Sequence, residues 1–219
     1  MTERWPGEPD VLESSSESEE VEPLQDSTSI PELEAVPEGD GDPEEAAAPA
    51  EHAPGDIDVP EDIGVLEGEP GPLRRAIAIV IAKFNGDITT QLLESALAEL
   101  DEIGIDRAQL TVVPVPGAFE LPLASMALAK TRRYACVIAL GCVIRGETPH
   151  FDFVASEAAS GLQLAALETG IPVSFGVLTC ETREQAEARV GKGAEAARTA
   201  LEMADLFSQL RQSAAAQAG

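Results

Sequence analysis

Basic residues are scarce in this chain of 219 residues: 14 Lys and Arg stand against 40 Asp and Glu, a formal net charge of −26. A surplus of that sign excludes a protein that holds a phosphate backbone or an anionic membrane surface, so neither nucleic acid nor membrane is expected as a partner. Cysteine is scarce too. Cys136, Cys142 and Cys180 are odd in number and lack metal-ligand spacing. That excludes a disulfide framework and a zinc module, and fits small buried thiols in a reducing cytoplasm. No apolar run exceeds Tyr134 to Ile144, which is too short to span a bilayer. The N-terminus, Met1-Thr2-Glu3-Arg4-Trp5-Pro6, has neither a basic n-region nor an apolar h-region, so no targeting segment is expected. The phosphate fingerprints GxGxxG and GxxxxGK[ST] are absent, and no nucleophile elbow accompanies the histidines, His52 and His150.

The charge that is present is unevenly placed. Residues 1–70 hold 23 acidic residues and one basic residue, leaving 17 acidic and 13 basic residues to positions 71–219. The first segment is rich in Glu, Asp, Pro, Ser and Gly, and its apolar residues Trp5, Leu12, Leu24 and Leu33 stand alone. Such a composition cannot bury enough surface to offset the entropy of ordering, so residues 1–73 read as an acidic, disordered extension. The run Ser14 to Glu20 suits a solvated spacer better than a phosphorylation patch. Residues 74–210 read as the folded domain and 211–219 as a frayed, Ala-rich tail.

From residue 76 the hydrophobic period switches repeatedly between strand and helix. Ala76–Ala82, Leu110–Val115, Tyr134–Ile144 and Val173–Leu178 are apolar or β-branched runs that suit buried strands. Between them lie helical spacings: Ile88 to Ile103 with Asp87 as N-cap and Gly104 as C-cap, Leu121 to Ala129, and Phe151 to Leu167. Thr182-Arg183-Glu184-Gln185 is a capping box that starts a short helix, and Gly191 to Leu210 is the last one. Strands alternating with helices predict an α/β fold: a flavodoxin-like three-layer sandwich around a parallel sheet of four or five strands.

In such sheets ligands bind beyond the carboxyl ends of the strands. Here every unusual polar or aromatic cluster follows a strand: Lys83-Phe84-Asn85, Gly117-Ala118-Phe119-Glu120, Arg145 to His150, and Thr179-Cys180-Glu181. His150 carries an imidazole, the side chain most often used for acid–base work near neutrality. Gly146, Glu147 and Thr148 offer backbone N–H groups at a helix start, where an anion such as phosphate can sit, the Glu147 side chain pointing away. Phe84 after its strand suits stacking on a planar heterocycle. Glu120 suits either the hydroxyls of a polyol or a helix's first turn. Arg145, Arg189 and Lys192 are the basic candidates for a second phosphate contact, and Phe175, in mid-strand, reads as core.

Over about residues 74–207 the chain resembles the 6,7-dimethyl-8-ribityllumazine synthase family. The resemblance rests on Phe84-Asn85, on Pro116-Gly117-Ala118-Phe119-Glu120-Leu121-Pro122, and on Gly141 through Asp152. It continues with Phe175-Gly176-Val177-Leu178-Thr179 and Glu184 through Arg189. One departure is the abbreviated stretch Arg189-Val190-Gly191-Lys192-Gly193, where the family usually has a longer loop.

That resemblance implies condensation of 5-amino-6-(D-ribitylamino)uracil with 3,4-dihydroxy-2-butanone 4-phosphate, the penultimate step of riboflavin biosynthesis, with no cofactor. It implies that Phe84 stacks on the uracil ring and that Ala118, Phe119 and Glu120 line the ribityl side. Cys142, Val143 and Ile144 would meet the pyrimidine through their backbone. Gly146, Glu147 and Thr148 would hold the phosphate, and His150 would carry protons. Phe175 and Arg189 would be lent by a neighbouring subunit. The implied assembly is a homo-oligomer, a pentamer at least, which in some members closes into a sixty-subunit shell. Riboflavin synthase, or a basic cargo protein drawn by the acidic extension, is the macromolecular partner left open. Two other readings also stay open on the residues alone: a non-catalytic lumazine or flavin binder, and a cage-forming scaffold.

Overall fold

Ala76–Ala82, the first strand (β1), is apolar throughout because both of its faces are covered. Ile77, Ile79 and Ile81 pack to one side with Ala96, Leu100, Ala197 and Leu201. Ala78, Val80 and Ala82 pack to the other side with Leu121, Ala129, Ala158 and Leu162. The period of two in a strand thus feeds two cores at once, which is why no polar alternation is visible in the sequence. In this computed structural model the described residues are 57–217.

The other elements follow in alternation: α1 (Gly86–Ile103), β2 (Leu110–Val115), α2 (Leu121–Lys130), β3 (Tyr134–Ile144), α3 (His150–Thr169), β4 (Val173–Cys180), α4 (Arg183–Glu187) and α5 (Lys192–Gln217). The sheet is four-stranded in the order β2-β1-β3-β4, and every pairing is parallel. Helices α1 and α5 pack against each other on one face, and α2 and α3 on the other. This is the expected three-layer α/β arrangement.

Details at the helix ends differ from the sequence reading. The N-cap of α1 is Asn85, with φ 54°, and not Asp87. Asp87 instead sits in the first turn and pairs with Arg183 of α4. Gly104 closes the helix at φ 89°, a left-handed conformation that a Cβ would strain. The Thr182 hydroxyl accepts from the Gln185 N–H at 3.3 Å, and Gln185 Oε1 accepts from the Glu181 N–H at 3.0 Å, so the anticipated capping box is present one residue wider. Helix α5 continues beyond Leu210 through the Ala-rich stretch to Gln217, as the high helix propensity of Ala permits.

The expected disorder of the acidic extension concerns mainly residues 1–56, which lie outside the described residues. Within the described part, the backbone from Glu67 to Leu73 is tied down. The Gln209 Nε2 group donates to the Glu67 carbonyl at 2.9 Å, the Glu69 N–H donates to Asp205 Oδ2 at 3.1 Å, and Gln109 Nε2 donates to the Leu73 carbonyl at 3.0 Å. Among the described residues no helix is long and apolar enough to cross a membrane.

Candidate active site at the carboxyl rim of the sheet

Because all four strands run the same way, their carboxyl ends share one rim, and hydrogen bonds knit the loops there together. The Lys83 and Phe84 N–H groups donate to the carbonyls of Val115 and Pro116 at 2.8 and 3.1 Å, prolonging the β1–β2 ladder past both strands. Asn85 then turns in the left-handed region, and its Nδ2 donates to the Cys142 carbonyl at 3.0 Å. Asn and Asp tolerate that conformation better than other side chains do. The result is a Phe84 ring held on a fixed backbone yet 72% exposed. A large aromatic so placed is available to a ligand, not to the core.

The second loop closes on itself. Glu120 Oε2 accepts from the Gly117 N–H at 2.9 Å, so one carboxylate oxygen caps the turn and the other is left for a partner. The turn leaves Phe119 more than half exposed beside Phe84 in the same cleft.

The third loop runs from Arg145 to the start of α3 at His150. Arg145 anchors its start: the N–H donates to the Cys180 carbonyl at 2.9 Å, and the guanidinium pairs with Asp152 and Glu181. The same guanidinium lies 4.1 Å from the centroid of the Phe151 ring. His150 follows as the first residue of α3, with Pro149 in the cap position. His150 thus stands at the N-terminus of a 20-residue helix and lines the cleft, an end of the helix whose polarity favours an anion.

These loops enclose a cleft of about 600 Å³ lined by Phe84, Ala118, Phe119, Glu120, Cys142, Val143, Ile144, Gly146, Thr148 and His150. Ten of the thirteen residues to which the resemblance gives a role thus converge, though they span positions 84 to 150. Glu147 is exposed and does not line the cleft, as its anticipated outward side chain requires. Phe175 and Arg189 line a separate cleft of about 210 Å³ with Lys192. Phe175 is not core: it lies on edge strand β4 and is 47% exposed.

The candidate cations sort themselves by their partners. Arg145 is held by two carboxylates, and Lys192 Nζ pairs with Glu195 at 2.6 Å, so both are engaged within the chain. Arg189 makes one contact with a neutral acceptor, its Nη1 donating to the Gln185 carbonyl at 2.9 Å. Its remaining N–H groups are open to an anion.

Thiol chemistry is disfavoured in the cleft. Burial, then the neighbouring Cys180, pushes the Cys142 thiol up to about 11, which keeps it protonated near neutrality. The sequence reading placed Asn85 and Gly117 on the rim without a role and missed Phe151, Phe153 and Val154, all of which line the cleft. Their signal was present: Phe151 and Val154 stand at helical spacing directly after His150, and Phe153 is an apolar side chain 68% exposed.

The fold and cleft define a parallel α/β protein of the class that binds small molecules beyond the carboxyl ends of its strands. Residues 74–208 match the family model of 6,7-dimethyl-8-ribityllumazine synthase. Proteins of that name from Yersinia pestis (strain Pestoides F) and Yersinia pseudotuberculosis serotype O:1b (strain IP 31758) are each 50% identical over 155 residues, covering 68% of this chain and 99% of theirs. The chain belongs to the 6,7-dimethyl-8-ribityllumazine synthase family.

Proposed function

We propose that this protein is a transferase that condenses 5-amino-6-(D-ribitylamino)uracil with 3,4-dihydroxy-2-butanone 4-phosphate, giving 6,7-dimethyl-8-ribityllumazine, phosphate and water. The observation that supports this reading is one rim cleft lined by Phe84, Phe119, Thr148 and His150, which offers an aromatic platform, the loop before a helix and an imidazole. The reaction needs those three things. The pyrimidine amine adds to the ketone, and loss of water leaves an imine. A proton leaves the adjacent carbon as the C–O bond to phosphate breaks, and the enol so formed returns to a ketone. The ribityl-bearing nitrogen then closes the ring with loss of a second water. Each step moves a proton, and none changes the overall oxidation level.

In this reading Phe84 stacks on the pyrimidine while Ala118, Phe119 and the free oxygen of Glu120 meet the ribityl chain. The backbone of Cys142, Val143 and Ile144 faces the ring edge. Gly146, Glu147 and Thr148 hold the phosphate with backbone N–H groups and the Thr148 hydroxyl. His150 carries protons between the amine, the leaving phosphate and the enol. Proximity of two substrates fixed in one cleft supplies much of the acceleration.

The separate placement of Phe175 and Arg189 supports an assembly in which a neighbouring copy completes the cleft, Arg189 reaching the phosphate and Phe175 the ring. A pentamer is the smallest ring proposed, acting in the cytoplasm. Incubating the protein with both substrates and recording lumazine fluorescence tests the reaction, and sedimentation of the same sample tests the assembly. Absence of the fluorescent product at saturating substrates would refute the activity.

A further inference from the structure

A second cavity, about 680 Å³, opens at the opposite end of the sheet, where β1 and β3 begin. Four arginines line it: Arg74, Arg75, Arg132 and Arg211. Among the described residues of its wall the one carboxylate is Asp205, whose Oδ2 already accepts from the Glu69 N–H at 3.1 Å and from Gln209 Nε2 at 2.7 Å. Positive charge gathered this way, in a chain with a net charge of −26, is not a solubility device.

The backbone is shaped to bring the cluster together. Arg132 adopts φ 59°, a region that side chains bearing a Cβ seldom occupy and that marks functional sites more often than chance. From there Arg132 Nη1 donates to the Thr169 carbonyl at 2.6 Å, and Arg75 Nη1 donates to the Arg132 carbonyl at 3.3 Å. These bonds fix two guanidiniums and occupy one nitrogen of each, leaving further N–H donors for a ligand. Arg74 and Arg211 make no hydrogen bond or ion pair among the described residues. Burial, then the charges of Arg211 and Arg132, lowers the pKa of Arg75.

We propose that this cavity binds a phosphorylated small organic molecule, its phosphate held by the guanidiniums of Arg74, Arg75, Arg132 and Arg211. Planar forks pair with phosphate oxygens two at a time, and three oxygens on one group suit several forks better than a carboxylate does. The volume is that of a site for a whole small molecule, not for one ion. Leu73, Ala135, Ile171 and Ala204 supply apolar wall for the body of such an ester.

The test is titration calorimetry on the full-length protein at fixed ionic strength, with ADP, pyrophosphate and inorganic phosphate as probes. Saturable binding of ADP is expected, weakened about tenfold or more in the double variant R74A/R211A. Both positions are outside the rim cleft, so lumazine formation should be unchanged in that variant. Arg189→Ala, which alters the opposite end of the molecule, should leave ADP binding intact. Failure of ADP to bind, equal binding by R74A/R211A, or loss in Arg189→Ala would each overturn the site. Inorganic phosphate binding as tightly as ADP, and weakened equally in R74A/R211A, would overturn the assignment to an ester.

Discussion

Arg145 and Asp152 meet fork to fork, with Nη1 donating to Oδ2 at 3.0 Å and Nη2 to Oδ1 at 2.9 Å. One residue directly follows β3 and the other lies in the first turn of α3, so the pair staples shut the loop that presents Thr148 and His150. Glu181 holds the same guanidinium through Nε at 2.7 Å and thereby ties in the end of β4. The Arg145 guanidinium is thus engaged within the chain, which supports a role in holding the loop and not in contacting a ligand.

Arg145→Ala should lower kcat/KM by up to about a hundredfold through misplacement of the loop, with secondary structure unchanged. Arg145→Lys should rescue little, because an ammonium cannot reproduce the fork. Hydrogen exchange at residues 146–151 separates this from a general loss of stability: only that loop should exchange faster. The pair also sets a pH dependence. The hydrogen bond from Arg145, and then its charge, holds the Asp152 carboxyl below the usual carboxylate range. A depressed folded-state pKa gives stabilisation that is complete above the ordinary value of about 4 and is lost as pH falls through the lower one. Protection of the loop should therefore decline only in that acidic window, and Asp152→Asn should abolish the decline.

Phe84 and His150 separate binding from chemistry. Phe84 is exposed, so Phe84→Ala should leave stability unchanged while weakening the aminouracil by about 1–3 kcal/mol, read as a raised KM for that substrate alone. His150→Ala should lower kcat by about a hundredfold or more with the far-ultraviolet spectrum intact. Equal changes in both substrates' KM, with kcat untouched, would remove His150 from its assigned role.

Most of this architecture was legible because a parallel sheet imposes both of its signals on the sequence. Strands such as Ala76–Ala82, covered on two faces, cannot hide a polar position, and the rule of carboxyl-end binding then places Phe84, Glu120 and His150 together before any contact is known. What stayed hidden depends on neighbours distant in sequence. Arg145 looked like a phosphate ligand until Asp152 and Glu181 were seen to claim it. Phe175 looked like core because mid-strand position does not reveal whether a strand lies at an edge. Asn85 took the cap from Asp87 through a left-handed turn secured by the Cys142 carbonyl, a partner 57 residues away.

The cysteines offer a check on packing. Cys136 is fully buried, and burial pushes its thiol up to about 12. With Cys142 pushed up to about 11 and Cys180 also raised by burial, all three should resist thiol reagents in the native protein near pH 8. Quantitative labelling with Ellman's reagent should appear only on unfolding. Rapid labelling of one thiol in the native state would show that the sheet opens near that strand.

Gly193 tests the crossing of α1 and α5. A Cβ built there would lie 2.0 Å from the Leu92 carbonyl oxygen and 2.9 Å from its carbon, and both belong to backbone that cannot swing aside. In an unhindered helix interior Gly→Ala stabilises by about 1 kcal/mol through propensity alone. Here overpacking should outweigh that gain, and Gly193→Ala should destabilise by about 1–3 kcal/mol. Gly86, at the start of α1, is the control, since a Cβ there would meet nothing within 4 Å. Urea unfolding should place the Gly193→Ala midpoint below the parent protein and the Gly86→Ala midpoint at or above it. If both variants gained stability, α1 and α5 would have to cross farther apart than the Leu92 contact requires.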